Sequence, residues 1–113
     1  MKIINLTNNH ILAENVLLSD SFLERLRGLL GRESLEKNHA MILRPSNSVH
    51  TFFMRFPIDV LFVDRNNKVI KIANNLGPYK ATGIYFKSAF VIELPSGVIG
   101  STHTVEGDRL QIQ

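Results

Sequence analysis

Apolar residues along this chain fall into short blocks divided by turn-forming residues, and most blocks alternate with the two-residue period of a β-strand. The clearest is Ile58-Asp59-Val60-Leu61-Phe62-Val63, rich in β-branched and aromatic residues and apolar on both alternating faces except at Asp59. Such a pattern predicts a central strand covered on both sides. Asp64-Arg65-Asn66-Asn67-Lys68 then supplies turn residues and the β pattern resumes over 69–73, so these segments form a hairpin. Residues 2–6 and 11–18 flank Thr7-Asn8-Asn9-His10, where Asn tolerates the positive φ of a tight turn, and predict an opening hairpin. Residues 40–43 form a short apolar run ended by Pro45. Residues 89–94 are another strand, with Phe90, Ile92 and Leu94 on one face, Val91 and Glu93 on the other, and Pro95-Ser96-Gly97 as its stop. Residues 98–104 read as a turn or short helix, and Gly107-Asp108 turns the chain into a last strand over 109–112. Between them, residues 76–87 contain Gly77-Pro78 and Gly83 and read as a long irregular connection with room for a strand around 84–86. Connections of that length in small domains are often functional or mobile.

One segment departs from the strand period. Ser21-Phe22-Leu23-Glu24 has capping-box spacing, and Phe22, Leu23, Leu26, Leu29 and Leu30 recur at three- and four-residue intervals until Gly31. This predicts one short helix near residues 21–30, with Glu24, Arg25 and Arg27 on a solvated side. Without regular strand-helix alternation, the expected fold class is mainly β (α+β): a small antiparallel β-barrel, partly or fully closed, in one domain over 1–113. Closure would also protect strand edges.

Composition narrows the function classes. A chain of 113 residues with 44% apolar and 20% charged residues is an ordinary globular sequence with one core. Its 13 Lys and Arg against 10 Asp and Glu give +3, with no run of like charge, so no nucleic-acid partner is expected. The absence of cysteine removes disulfides, thiolate zinc sites and a cysteine nucleophile. No stretch has about 18 consecutive apolar residues, so no membrane span is expected, and a cytoplasmic location is the default.

Candidate chemistry gathers in His50-Thr51-Phe52-Phe53-Met54-Arg55-Phe56-Pro57-Ile58-Asp59, where three ionisable side chains sit in the most apolar stretch of the chain. A charge buried without a partner costs several kcal/mol, so His50, Arg55 and Asp59 must reach water, pair, or await a ligand. In an extended chain Arg55 and Asp59 lie about 13 Å apart, and they meet only if Pro57 bends the backbone. The plainest reading is an internal salt bridge or hydrogen-bond cluster fixing this corner, followed by a binding site and then a catalytic one. The four histidines show no metal-ligand spacing, and a site of His50, His103 and Asp59 needs the fold to assemble it. Thr51 adjoins His50, but neighbouring strand residues face opposite ways, so nucleophilic catalysis is not indicated. Gly-x-Ser-x-Gly and phosphate-loop patterns are absent. No metal and no cofactor is expected.

Arg27-Gly28-Leu29-Leu30-Gly31-Arg32, the run Val49 through Asp64, Val91-Ile92-Glu93-Leu94-Pro95-Ser96-Gly97, and Gly107-Asp108 together resemble the domain-of-unknown-function family 192. The resemblance covers nearly the whole chain and implies a small β-barrel-like fold with a short helix and no established activity. A larger branch of that family carries Trp-Met-Lys-Asn-Thr ahead of its Pro-Leu-Asp; this chain has neither that Trp nor that Asn. Arg32, His50, Thr51, Met54, Arg55, Pro57, Asp59, Glu93 and Asp108 match motif residues. Among these, Pro57 reads as a bend, Glu93 as a partner for a basic residue, and Asp108 as a turn former.

Three functions compete on these residues. The first is a non-enzymatic binding module for a small anionic ligand or a partner protein, using Arg32, His50, Thr51, Met54, Arg55 and Asp59 with the Phe52-Phe53 surface. Arginine's planar fork suits carboxylate or phosphate, and aromatics supply apolar contact. The second is an acid–base, hydrolase-like enzyme using His50 and Asp59. The third, a scaffold subunit of a cell-envelope or secretion assembly, has no residue pattern behind it.

Overall fold

The computed structural model describes residues 1–19, 35–52 and 54–113. The helix expected near 21–30, Arg32 and Phe53 lie outside the described residues. The elements are β1 (Ile3–Asn5), β2 (His10–Ala13), β3 (Asn15–Ser19), β4 (His39–Leu43), β5 (Ile58–Val63), β6 (Val69–Leu76), β7 (Phe90–Pro95), α1 (Val98–Ser101) and β8 (Leu110–Ile112).

The strands form two sheets, β2-β1-β8 and β3-β4-β7-β5-β6. The expected hairpin of β5 and β6 forms, its turn fixed by Asp64 Oδ1 accepting the amides of Asn66 at 2.9 Å and Lys68 at 3.0 Å, with Asn67 at φ 62. Asn9, at φ 65, serves the β1–β2 turn. Two features differ from the expected antiparallel barrel, partly or fully closed. Among the described residues neither sheet closes on itself, and β3 runs parallel to β4, with Asn15 opposite His39 and Ser19 opposite Leu43. The cause is visible at Glu14, where the run expected as one strand over 11–18 breaks. Its amide turns to Asn38 Oδ1 at 2.9 Å, so β2 stays in the small sheet and β3 starts the large one. A parallel partner needs a crossover of a dozen or more residues, and residues 20–38 are long enough to make one. The strand considered around 84–86 is absent: Tyr85 turns its ring onto Phe62, while Ile84 and Phe86 face solvent.

Alternation along the large sheet builds two apolar layers. Leu61, Val63, Phe90, Ile92 and Leu94 face the small sheet and α1, meeting Ile3, Leu12, Ile99 and Leu110. Ile58, Val60, Phe62 and Val91 face the other way, against Leu35, Val49, Met54 and Phe56. Every residue of β5 is buried, as its pattern predicts, because each face has its own cover. Among the described residues the second cover contains no strand of either sheet. Its described part is made of loop segments, and these carry the candidate site.

Candidate functional site

Residues 47–54 and 77–85 run antiparallel over the second layer, joined by few but well-placed bonds. The Tyr85 amide donates to Asn47 O at 2.8 Å, the Thr82 amide to Val49 O at 2.8 Å, and the Val49 amide to Thr82 Oγ1 at 2.9 Å. His50 and Ala81 form an isolated bridge. Thr51, fully buried, is the hub. Its amide donates to Lys80 O at 2.8 Å, its carbonyl accepts the Tyr79 amide at 3.0 Å, and its hydroxyl donates to Gly77 O while accepting the Lys80 amide at 2.9 Å. A buried hydroxyl with donor and acceptor capacity both used fixes a loop as a strand ladder would. Val49, Met54 and Phe56 point down into the core, whereas Phe52 and Arg55 point out. The half-buried His50 ring lies 5.0 Å from Phe52, tilted by 32°.

Asp59 is 1% exposed and resolves the polar conflict at this corner without a cation. Its Oδ1 accepts the Asn75 amide at 2.8 Å, and its Oδ2 accepts the amides of Gly97 at 3.0 Å and Ile99 at 2.9 Å. Each partner marks a local irregularity. Between Ile58↔Leu76 and Val60↔Ala73 the register of β5 and β6 slips, leaving an extra β6 residue, and there Asn75 adopts φ 50. Gly97 sits at φ 100 ahead of α1, a left-handed backbone that favours glycine. The carboxylate therefore clamps a bulge and caps a helix start 38 residues downstream. Charge-assisted bonds to backbone amides are strong enough to hold an anion in such a place.

Asp59 lies on the face of β5 that carries Leu61 and Val63, beside Ile99, while Met54 and Phe56 cover the opposite face with Ile58, Val60 and Phe62. The structure thus brings His50, Thr51, Met54 and Arg55 into one layer and sends Asp59 to the other. Asp59 pairs with backbone, and no Arg55–Asp59 bridge forms. Nor do His50, His103 and Asp59 assemble: among the described residues no group of three metal-ligating side chains occurs, and the His103 ring stands 5.7 Å from that of His10, edge to face. Glu93, also fully buried, faces the second layer between Met41 and Val60.

The same layer exposes residues that the sequence did not single out. Tyr79 is 67% and Phe86 85% exposed, and with Lys80 and Lys87 they join the already expected Phe52, 43% exposed, and Arg55 at the surface. Their signal was the long connection itself, carrying aromatics where a solvated loop would be polar. A charge asymmetry accompanies them. Residues 37–92 contain eight Lys and Arg but two acids, Asp59 and Asp64, leaving five basic and eight acidic residues elsewhere. Asp59 is buried on amides and Asp64 binds its own turn, so the exposed charge of this region is positive. No helix among the described residues is long and apolar enough to cross a membrane.

The DUF192 family model, described as "Uncharacterized ACR, COG1430", matches residues 3–112. A UPF0127 protein of Thermococcus kodakarensis is 35% identical over 117 residues, covering 96% of this chain and 71% of that protein. A UPF0127 protein of Pyrococcus furiosus is 29% identical over 114 residues, covering 96% and 95%. A crystal structure of a protein of unknown function from Novosphingobium aromaticivorans superposes with a TM-score of 0.81 at 21% identity, covering 98% of this chain and 82% of that one; it shares the fold. With the family match running through both sheets and both loop segments, this chain belongs to the DUF192 family.

Proposed function

We propose that this protein is a binding module, with no covalent chemistry of its own, that recognises an anionic ligand or partner protein through the exposed side chains of residues 46–56 and 77–88. One observation carries the reading: Phe52, Tyr79 and Phe86 stand in water beside Arg55, Lys80 and Lys87 on segments that buried bonds hold in place. Leaving large aromatic surface exposed forgoes burial worth about 1.5–3 kcal/mol per side chain. Aromatic and arginine side chains carry most interface energy, and a pre-ordered face loses less entropy on binding. In this reading His50 and Arg55 touch the ligand, Thr51 and Met54 hold the segment that presents them, and Asp59 braces the sheet beneath. Arg32 belongs to the same proposal as an added guanidinium. A His50–Asp59 proton-transfer pair draws no support, since both Asp59 oxygens serve amides on the far face. A cysteine-free chain suits a reducing compartment, and the cytoplasm is the proposed setting.

Titration of the ¹⁵N-labelled protein with a polyglutamate peptide tests this. Amide signals of residues 50–56 and 78–88 should move, and the movement should shrink as salt is raised, because exposed charges are screened. An unmoved spectrum at millimolar peptide, or shifts confined to β2, β8 and α1, would overturn the proposal.

A further inference from the structure

We infer that the groove between the β5–β6 turn and the turn at residues 85–88 docks an acidic polypeptide segment, one of whose apolar side chains packs on the Phe86 ring. The inference rests on the binding-module reading and names its partner. The groove has a volume of about 480 Å³, the size of a site that takes one large side chain with its flanking backbone. Both walls are fixed. On one side the Ser88 amide donates to Tyr85 O at 2.8 Å and the Ser88 hydroxyl reaches Ser46 O at 2.9 Å. The Ala89 amide donates to Val63 O at 2.8 Å, and the Tyr85 ring rests 4.6 Å from that of Phe62. On the other side Asp64 closes its own turn through two amides.

What these walls present is the unusual part. The centre of the 85–88 turn holds Phe86 and Lys87 where small polar residues are the rule, and Phe86 is 85% exposed. Arg65 and Asn66 face it across the groove. Among the described residues Asp64 is the sole carboxylate lining it, and the Oδ1 of that residue is committed to backbone. An apolar ring flanked by Arg65 and Lys87 complements a segment that alternates carboxylates with an apolar side chain. A single-stranded nucleic acid would also meet cations and a ring, but Ile84, 57% exposed two residues away, offers no face for a base and suits a side chain.

The experiment is fluorescence anisotropy on the full chain with three labelled probes: a glutamate-rich peptide of about ten residues with a central Leu-Phe pair, the same peptide with Ala-Ala there, and an oligo-uridylate of similar length. The Leu-Phe peptide should bind about tenfold tighter than the Ala-Ala peptide. Phe86→Ala should erase that difference, and Arg65→Glu with Lys87→Glu should weaken both peptides, all without lowering the melting temperature. Equal binding of the two peptides, or a Phe86→Ala protein that keeps the difference, overturns the docking inference while the binding module stands. Failure of both peptides to bind overturns both. Oligo-uridylate binding tighter than the Leu-Phe peptide overturns the inference in favour of a nucleic-acid partner.

Discussion

Asp59→Ala is expected to destabilise the protein by about 3–5 kcal/mol, because it strips the acceptors from three backbone amides at once, and a donor left unpaired costs about 1–3 kcal/mol where it is buried, as at Ile99, and less at the part-buried amides of Asn75 and Gly97. The amides belong to Asn75, Gly97 and Ile99, so the loss falls on the β6 bulge and the start of α1 together. For a chain of this length the melting temperature should drop by roughly 10–20 °C. Asp59→Asn should fall between the variant and wild type: its amide keeps one acceptor oxygen and turns an NH2 group toward a donor. Thermal melts of the three proteins, without ligand, check the order. A midpoint for Asp59→Ala equal to or above wild type would contradict the clamp and return Asp59 to the candidate active-site residues, since removing strain at functional sites often raises stability.

Phe62→Ala is expected to cost a similar amount, about 3–5 kcal/mol, for a different reason. Phe62 is fully buried in the layer beneath the loop segments, and its ring supports that of Tyr85 at 4.6 Å. Truncation leaves a cavity and removes the floor under the 85–88 turn. Denaturant unfolding should show the lower stability, and native-state hydrogen exchange should show faster exchange at the Tyr85 and Ser88 amides than the global loss alone gives. A cost below about 1 kcal/mol would mean that the loop layer is not packed on β5.

Local pattern made the central strand and its hairpin legible, because β5 is apolar on both faces and the Asp64–Lys68 turn chooses its residues for backbone reasons. It also located the polar conflict at Asp59. The partners were out of reach: they are backbone amides 16, 38 and 40 residues away, and every residue but proline has one. The parallel pairing of β3 with β4 was hidden because strand period says nothing about neighbours, and the break at Glu14 depends on Asn38. Phe86 and Tyr79 illustrate the opposite failure. An aromatic residue in a sequence reads as core, and only the bonds that hold its loop decide whether it turns inward like Tyr85 or outward like Phe86. The charge asymmetry of residues 37–92 escaped a search for runs because it consists of missing acids rather than clustered bases.

If stability resides in the buried side chains of this corner and recognition in the exposed ones, the two separate by substitution. The most direct measurement is a paired one on the double variant Arg55→Glu, Lys80→Glu: its melting temperature and its affinity for polyglutamate. Both side chains are exposed, so stability should stay within about 0.5 kcal/mol of wild type. Reversing two charges on the binding face should weaken polyglutamate binding by about tenfold or more. A double variant that binds polyglutamate as wild type does, or melts as low as Asp59→Ala, would contradict that division.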